Sequence, residues 1–370
     1  MYENIQEGQY LIKLLSSAIN RLPLKSPEDD LDWETLYQLA SFHNVANTAY
    51  YGLLDSPAAS NMPENVCSLF ASDARRFSAL ESMQNYEVRK MLLGYEQSGI
   101  FCMPLIGFRM KALYPRPDMR YEATMEFLIH TEDKSKAHQV MTALGYSAIR
   151  FTGRSISYFK APNMSIELMT SLICEDCKYE DFFRGILKKN LHPIKGFQNI
   201  YAMSKEDFYI YLIAYLARQY ASGGSGIRSI LDVWVYLKRY RPLLNYEYLT
   251  TEFTKLNLGL FSFYIEKLSW IWFGIGVNFS NRSLYEEMEQ HIFSCGSAEP
   301  AETNIFHQPE ADQTAASVPK KAPAAVFPKL ESMSDRYPIL YEMPFLLPIF
   351  WLVHLSSLLL MKFRKPNNKH

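Results

Sequence analysis

The stretch Pro104–Ile129, PLIGFRMKALYPRPDMRYEATMEFLI, decides how this chain is read. An apolar run from Ile100 to Ile106 closes on Gly107 and predicts a strand followed by a glycine turn. Phe108 to Leu113 has helical character, and Tyr114-Pro115-Arg116-Pro117 is a proline-broken turn. Ala123 to His130 predicts a second strand. A strand, a glycine turn, a short helix and a strand carrying acidic residues can together form a small nucleotide-handling site.

Working outward, the next residues continue the sheet. Tyr146–Phe151, Ser155–Ala161 and Met164–Thr170 are short strand-like runs, separated by the turn signals Thr152-Gly153 and Pro162-Asn163. Glu132–Leu144 is helical between them, with Gly145 as its terminating glycine. The flanks carry helical periodicity instead. Leu11, Leu14, Leu15, Ala18 and Ile19 form one stripe, and Asp32 with Glu34 opens a second helix. A long helix covers 68–98. Downstream, Ser204 with Asp207 caps a helix over Lys205–Tyr220, and the polar turn Ser222–Gly226 leads into a helix over Ile227–Tyr240. The expected architecture is α+β: a small mixed sheet flanked by largely helical N- and C-terminal regions. The expected divisions are a helical lead-in over 1–98, an α/β core over 99–178, a helical domain over 179–295, a flexible linker over 296–325 and a C-terminal helical segment over 326–370.

Composition narrows the function. With 370 residues, 48% hydrophobic and 21% charged, the chain is long enough for two or three domains. A net charge of -1 argues against general nucleic-acid binding, which draws on a large excess of Lys and Arg. No basic-then-apolar leader opens the sequence, and the five sparse cysteines suit a reducing compartment, so a cytoplasmic location is expected. Cys174 and Cys177 have zinc-knuckle spacing, but a zinc site needs two more ligands and His192 is the only nearby His, so they read as loop cysteines. The apolar run Pro344–Met361 is barely a membrane span long and contains Pro348, His354, Ser356 and Ser357. It reads as a buried terminal helix. Membrane-surface contact through 344–365, aided by Lys362, Arg364 and Lys365, is the alternative. His43 and His138 read as ordinary helix residues.

Taken in order, these residues resemble the uncharacterised bacterial nucleotidyltransferases of the DNA polymerase beta superfamily. The similar segments are Leu105-Ile106-Gly107, Leu113-Tyr114-Pro115, Arg120, Thr124-Met125-Glu126, Leu144-Gly145-Tyr146, Ser165-Ile166-Glu167-Leu168, and Gly223-Gly224-Ser225-Gly226-Ile227-Arg228-Ser229 with Asp232. Tyr337-Pro338 and Pro344–Pro348 continue the likeness toward the end. The resemblance implies transfer of a nucleoside monophosphate from a nucleoside triphosphate to an unknown acceptor, with Mg²⁺ as cofactor. It places metal-binding, catalytic carboxylates at Glu126 and Glu167, and nucleotide contacts at Gly107, Lys111, Arg120, Thr124 and Arg228. The chemistry of such transfer is mostly positioning and charge neutralisation, typically around two metal ions.

Against the family pattern, the first expected Asp is Thr124, a weak partner for a hard dication. The Lys expected before the glycine is Ile106. On the helix before the Gly-rich turn, the family's His and Lys-His correspond to Tyr215, Arg218 and Gln219. Glu122 shares a strand face with Glu126, but the two are about 13 Å apart on an extended strand. Arg228 and Asp232, at i and i+4, read either as a helix ion pair or with Arg228 turned to an anion in the cleft. Two functional readings follow: a working nucleotidyltransferase, or a catalytically degraded version of that fold that binds a ligand or a protein partner.

Overall fold

The computed structural model describes residues 5–24, 26–27, 31–54, 56–172, 179–189, 191–222, 224–275 and 283–294. Cys174 and Cys177, Gly223, the 296–325 segment and the run from Pro344 with its basic tail lie outside the described residues.

Four helices come first: α1 (Ile5–Asn20), α2 (Trp33–Phe42), α3 (Ala46–Leu54) and α4 (Glu64–Gln97). Asp32 starts α2 as expected, its carboxylate accepting hydrogen bonds from the Glu34 and Thr35 amides at 3.1 Å. The sheet region follows as β1 (Cys102–Pro104), α5 (Ile106–Lys111), β2 (Thr124–Ile129), α6 (Lys134–Ala143), β3 (Ser147–Phe151), β4 (Ser155–Lys160) and β5 (Met164–Met169). Gly145 closes α6 with φ +84°, the left-handed conformation that glycine adopts without penalty. The chain continues through α7 (Glu180–Lys189), a small hairpin of β6 (Leu191–Pro193) and β7 (Tyr201–Met203), then α8 (Lys205–Ala221), α9 (Ile227–Tyr240), α10 (Tyr246–Lys255), α11 (Gly259–Phe273) and α12 (Ser283–Ser294). Ser204 caps α8 by accepting from the Asp207 amide at 3.0 Å. Among the described residues, no helix is long and apolar enough to cross a membrane.

The α+β architecture is as expected. The main sheet has five strands in the order β1-β2-β5-β4-β3; β2 and β5 are parallel and the other pairs antiparallel. Strand alternation sorts its two faces. Met125, Phe127 and Ile129 of β2, with Ile166 and Leu168 of β5, join a core that includes Val88, Met91 and Tyr95 of α4 and Ala137 and Met141 of α6. Thr124, Glu126, Ser165 and Glu167 therefore point to the opposite face, toward the helices that follow the sheet. That face carries the site.

A second, larger core joins the helices on both sides of the sheet in sequence. Leu11, Leu14 and Leu15 of α1 share it with Ile213, Ile230, Leu231 and Ile265 of α8, α9 and α11. Asn20 Nδ2 donates to the Phe273 carbonyl at 2.9 Å, and Lys238 Nζ to the Ile19 carbonyl at 3.1 Å. The residues before β1 and those after β7 thus build one helical body. The two short strands β6 and β7 lie within the 179–295 stretch expected to be helical; their three-residue length gives no period to read.

Candidate active site

Glu126 and Glu167 stand directly opposite each other in the parallel pair β2–β5, with Thr124 opposite Ser165 one pleat away. Neighbouring strands lie about 4.8 Å apart, so the two carboxylates are adjacent on one face. Both residues are half-buried. Among the described residues, the Glu167 carboxylate has no hydrogen-bond or ion-pair partner. Like charges set opposite on adjacent strands repel each other. Tyr211 of α8 lies close by: burial, and then the charge of Glu126, push its hydroxyl well above the usual phenol range.

Beside the pair is a buried network of charges centred on Arg120. Its Nε donates to both Asp232 oxygens at 2.9 and 3.1 Å, and its second terminal nitrogen to Asp232 Oδ2 at 2.9 Å. The other terminal nitrogen is paired with Glu122. The Tyr114 hydroxyl donates to Asp232 Oδ1 at 2.7 Å, and Gln84 of α4 donates to the Glu122 carbonyl at 2.8 Å. Burial by itself would lower the Arg120 pKa, but Asp232 and Glu122 outweigh it and hold the guanidinium charged. Gly107 completes the arrangement. A Cβ placed there would come 2.5 Å from Glu122 Oε2, so only glycine lets that carboxylate lie against α5. The sequence predicts Gly107 in a turn; it sits instead in the first turn of α5, at negative φ, and the close approach of Glu122 is what calls for glycine.

A cavity of about 20 Å³, room for roughly one water, lies between these parts. Ile106 and Gly107 line one side, with Arg120, Glu122 and Glu126 from the approach to β2 and from β2 itself. Leu212, Tyr215, Leu216 and Gln219 of α8 form a facing stripe at i, i+3, i+4 and i+7. Arg228, Ser229 and Asp232 come from the start of α9.

Of the residues singled out in the sequence, the fold brings Gly107, Arg120, Glu126 and Arg228 to this cavity and sets Glu167 and Thr124 beside Glu126 on the same sheet face. Lys111 is turned elsewhere. Its buried ammonium is paired with Glu81 and hydrogen-bonded to Gln84; burial lowers its pKa, and Glu81 opposes that shift. It does not line the cavity as a phosphate contact would. Arg120 lines it, but with its nitrogens committed to carboxylates. Asp232, expected as a possible helix partner of Arg228, is clamped by Arg120 across the site, while Arg228 donates to the Tyr121 carbonyl at 2.7 Å. Sequence reasoning misses Gln84 and Glu81 because α4 is distant along the chain. The α8 stripe is legible in its spacing, but nothing local says which face meets the sheet.

Residues 29–274 match the family described as uncharacterised nucleotidyltransferase. The chain belongs to that family. No curated protein sequence matches it. Among solved structures, the chain is similar to the antibiotic-resistance factor ANT(2'')-Ia, studied in solution, at 12% identity and a TM-score of 0.28, over 57% of this chain and 97% of that one.

The donor set can be tested against the metal that nucleotidyl transfer generally uses. Mg²⁺ is commonly held by one or two carboxylates, with substrate phosphates and water completing its shell. Glu126 and Glu167, opposite each other in β2 and β5, are two carboxylates of that kind. A pair of ions needs more, and among the described residues no group of three or more acidic, His or Cys side chains is arranged to hold a metal. Glu122 and Asp232 are already taken by Arg120.

Proposed function

We propose that this protein transfers a nucleoside monophosphate from a nucleoside triphosphate to an acceptor, on the polar face of its sheet. The observation that carries the reading is the register of Glu126 opposite Glu167: two adjacent carboxylates, one of them with no partner among the described residues, on the sheet face of a nucleotidyltransferase-family chain. Such a pair is costly in the resting protein and suited to a divalent cation. Mg²⁺ bound there would offset the negative charge of the triphosphate. Thr124 and Ser165 add hydroxyls one pleat away. In the transfer, an acceptor oxygen bonds to the α-phosphorus, and the bond from that phosphorus to the bridging oxygen breaks. Its electron pair leaves with pyrophosphate, and the acceptor's proton goes to solvent. The side chains' contribution is placement and electrostatics rather than covalent chemistry.

Calorimetry with ATP, GTP, CTP and UTP, with and without Mg²⁺, tests the reading. Metal-dependent binding of at least one triphosphate, lost in Glu126→Gln, is the expected result. Binding of none, or binding indifferent to Mg²⁺, overturns it.

A second reading is a fold retained for binding a ligand or partner without turnover. It is favoured by the small cavity and by the withdrawal of Glu122 and Lys111 into buried pairs. Triphosphate binding that needs no metal and yields no pyrophosphate is its signature.

A further inference from the structure

We infer that the Arg109 guanidinium, together with the Tyr240 hydroxyl, is a binding site for a phosphate group, one helical turn outside the cavity described above. The inference does not depend on the transfer reading, because Arg109 belongs neither to the cavity wall nor to the Glu126–Glu167 face.

Three helices wall the cavity, and residues one or two turns along each of them gather at Arg109. On α5, Ile106 lines the cavity and Arg109 follows at i+3 on the same face. On α8, Leu212 lines it and Phe208 precedes at i−4; the Arg109 guanidinium lies over the Phe208 ring, 4.2 Å from its centroid. On α9, Asp232 lines it, and Tyr236 and Tyr240 follow at i+4 and i+8. The Tyr236 ring is 5.5 Å from that of Phe208 and 4.9 Å from that of Tyr240. Both phenols lie within electrostatic reach of the guanidinium. Arg109 and Tyr240 are each half-buried, so both are accessible from solvent.

These surroundings give the cation no acid. One terminal nitrogen donates to the Met203 carbonyl at 3.4 Å, and no carboxylate among the described residues is paired with Arg109. The acids at the start of α8 have other partners. Glu206 accepts from the Asn245 amide at 3.0 Å, and Asp207 from the Ser204 and Tyr248 hydroxyls, each at 2.7 Å. Burial lowers the Arg109 pKa, and the groups that oppose the shift are the two phenols rather than carboxylates. Arg120, by contrast, meets two carboxylates. The Tyr236 hydroxyl is spent on the Lys205 carbonyl at 2.7 Å, whereas the Tyr240 hydroxyl has no hydrogen-bond partner among the described residues. A guanidinium carries five N–H donors in a fork matched to phosphate oxygens. Most of the Arg109 donors are therefore left for a ligand, and a phosphate group would supply the counter-charge that the protein does not.

Calorimetric titration of the full chain with inorganic phosphate, in the absence of metal, tests the inference. The wild type is expected to bind phosphate, with affinity reduced about tenfold in Arg109→Gln and about threefold in Tyr240→Phe, the worth of a charged and of a neutral hydrogen bond. No saturable binding by the wild type overturns the inference, and so does affinity equal to wild type in either variant. If Arg109→Gln loses its circular-dichroism signal, Tyr240→Phe decides alone, since it removes a single hydroxyl. Acetate bound more tightly than phosphate also overturns it, in favour of a carboxylate site. Methyl phosphate separates two sources of the same group. Affinity equal to that of inorganic phosphate supports a phosphate carried by a larger ligand, and lost affinity supports free phosphate. Failure of the inference leaves metal-dependent triphosphate binding, and its loss in Glu126→Gln, as a separate question.

Discussion

Glu126 faces Glu167 across the parallel strands β2 and β5, residue against residue, with no offset in register. A like-charged pair in this position works against folding by about 0.2–1 kcal/mol. Glu167→Gln is therefore expected to stabilise the ion-free protein by roughly 0.5 kcal/mol. If Mg²⁺ binds as proposed, the same variant should lose the stabilisation expected of the ion in the wild type, about 2.7 kcal/mol at a hundredfold excess over Kd. Urea unfolding of both proteins with and without Mg²⁺ measures this. A Glu167→Gln variant that is less stable without the ion would show that the pair holds the sheet together.

Arg120 serves two buried carboxylates, and each carboxylate has a different second support. Asp232 also receives the Tyr114 hydroxyl, whereas Glu122 is paired with Arg120, lies against Gly107 and is within electrostatic reach of Lys111. Asp232→Asn keeps the shape and leaves Arg120 with Glu122, at an expected cost of about 3 kcal/mol. Arg120→Leu removes the guanidinium from both acids and should cost more, about 4–5 kcal/mol or loss of the fold. The order of the two unfolding midpoints decides whether Arg120 is the hub. Equal midpoints would assign the stabilisation to the Asp232 side alone.

Gly107 carries a prediction of its own. An added Cβ meets the Glu122 carboxylate at 2.5 Å, and Arg120 prevents that carboxylate from swinging away. Gly107→Ala is expected to cost about 1–3 kcal/mol, the usual penalty for overpacking. Because the cost arises from one contact, Gly107→Ala combined with Glu122→Ala should be less damaging than the sum of the singles, by about 1 kcal/mol or more. Strict additivity in a double-mutant cycle would locate the penalty in the α5 backbone instead.

These relationships mark the line between what the sequence expresses and what it hides. Strands β2 to β5 are readable to within two residues at each end, and α9 over Ile227–Tyr240 throughout, because periodicity, Ser204-type caps and Gly145-type stops are local. Of the residues the family resemblance singles out, Gly107, Arg120, Glu126 and Arg228 line one cavity. Hidden are the partnerships: that β2 pairs in parallel with β5, that Asp232 turns to Arg120, and that Lys111 turns to Glu81. Each joins residues that are 30 or more positions apart, and a charged side chain carries no mark of which opposite charge it will meet. For the same reason α1 gives no sign that its apolar stripe is covered by α11.

His43 reads in the sequence as an ordinary helix residue, and its burial gives it a consequence for pH. It is fully buried, with Phe42 and Phe293 edge-on to its ring, and its Nδ1 accepts from the Ile227 amide at 3.4 Å. Burial lowers its pKa to about 4, against a weaker opposing contribution from the Phe293 backbone. The unfolded chain takes up a proton near pH 6.5, whereas the folded protein does not until about pH 4. The unfolded state thus binds more protons between those values, and stability falls as pH drops through that window. Between pH 7 and pH 5 the loss from this one residue is about 2 kcal/mol. His43→Gln keeps a hydrogen-bond acceptor but does not titrate, so its stability should change less over that interval. Comparing urea unfolding of the two proteins at pH 7 and pH 5 isolates the effect, since carboxylates common to both cancel. Parallel losses in wild type and His43→Gln would show that His43 becomes protonated in the folded protein well above pH 5.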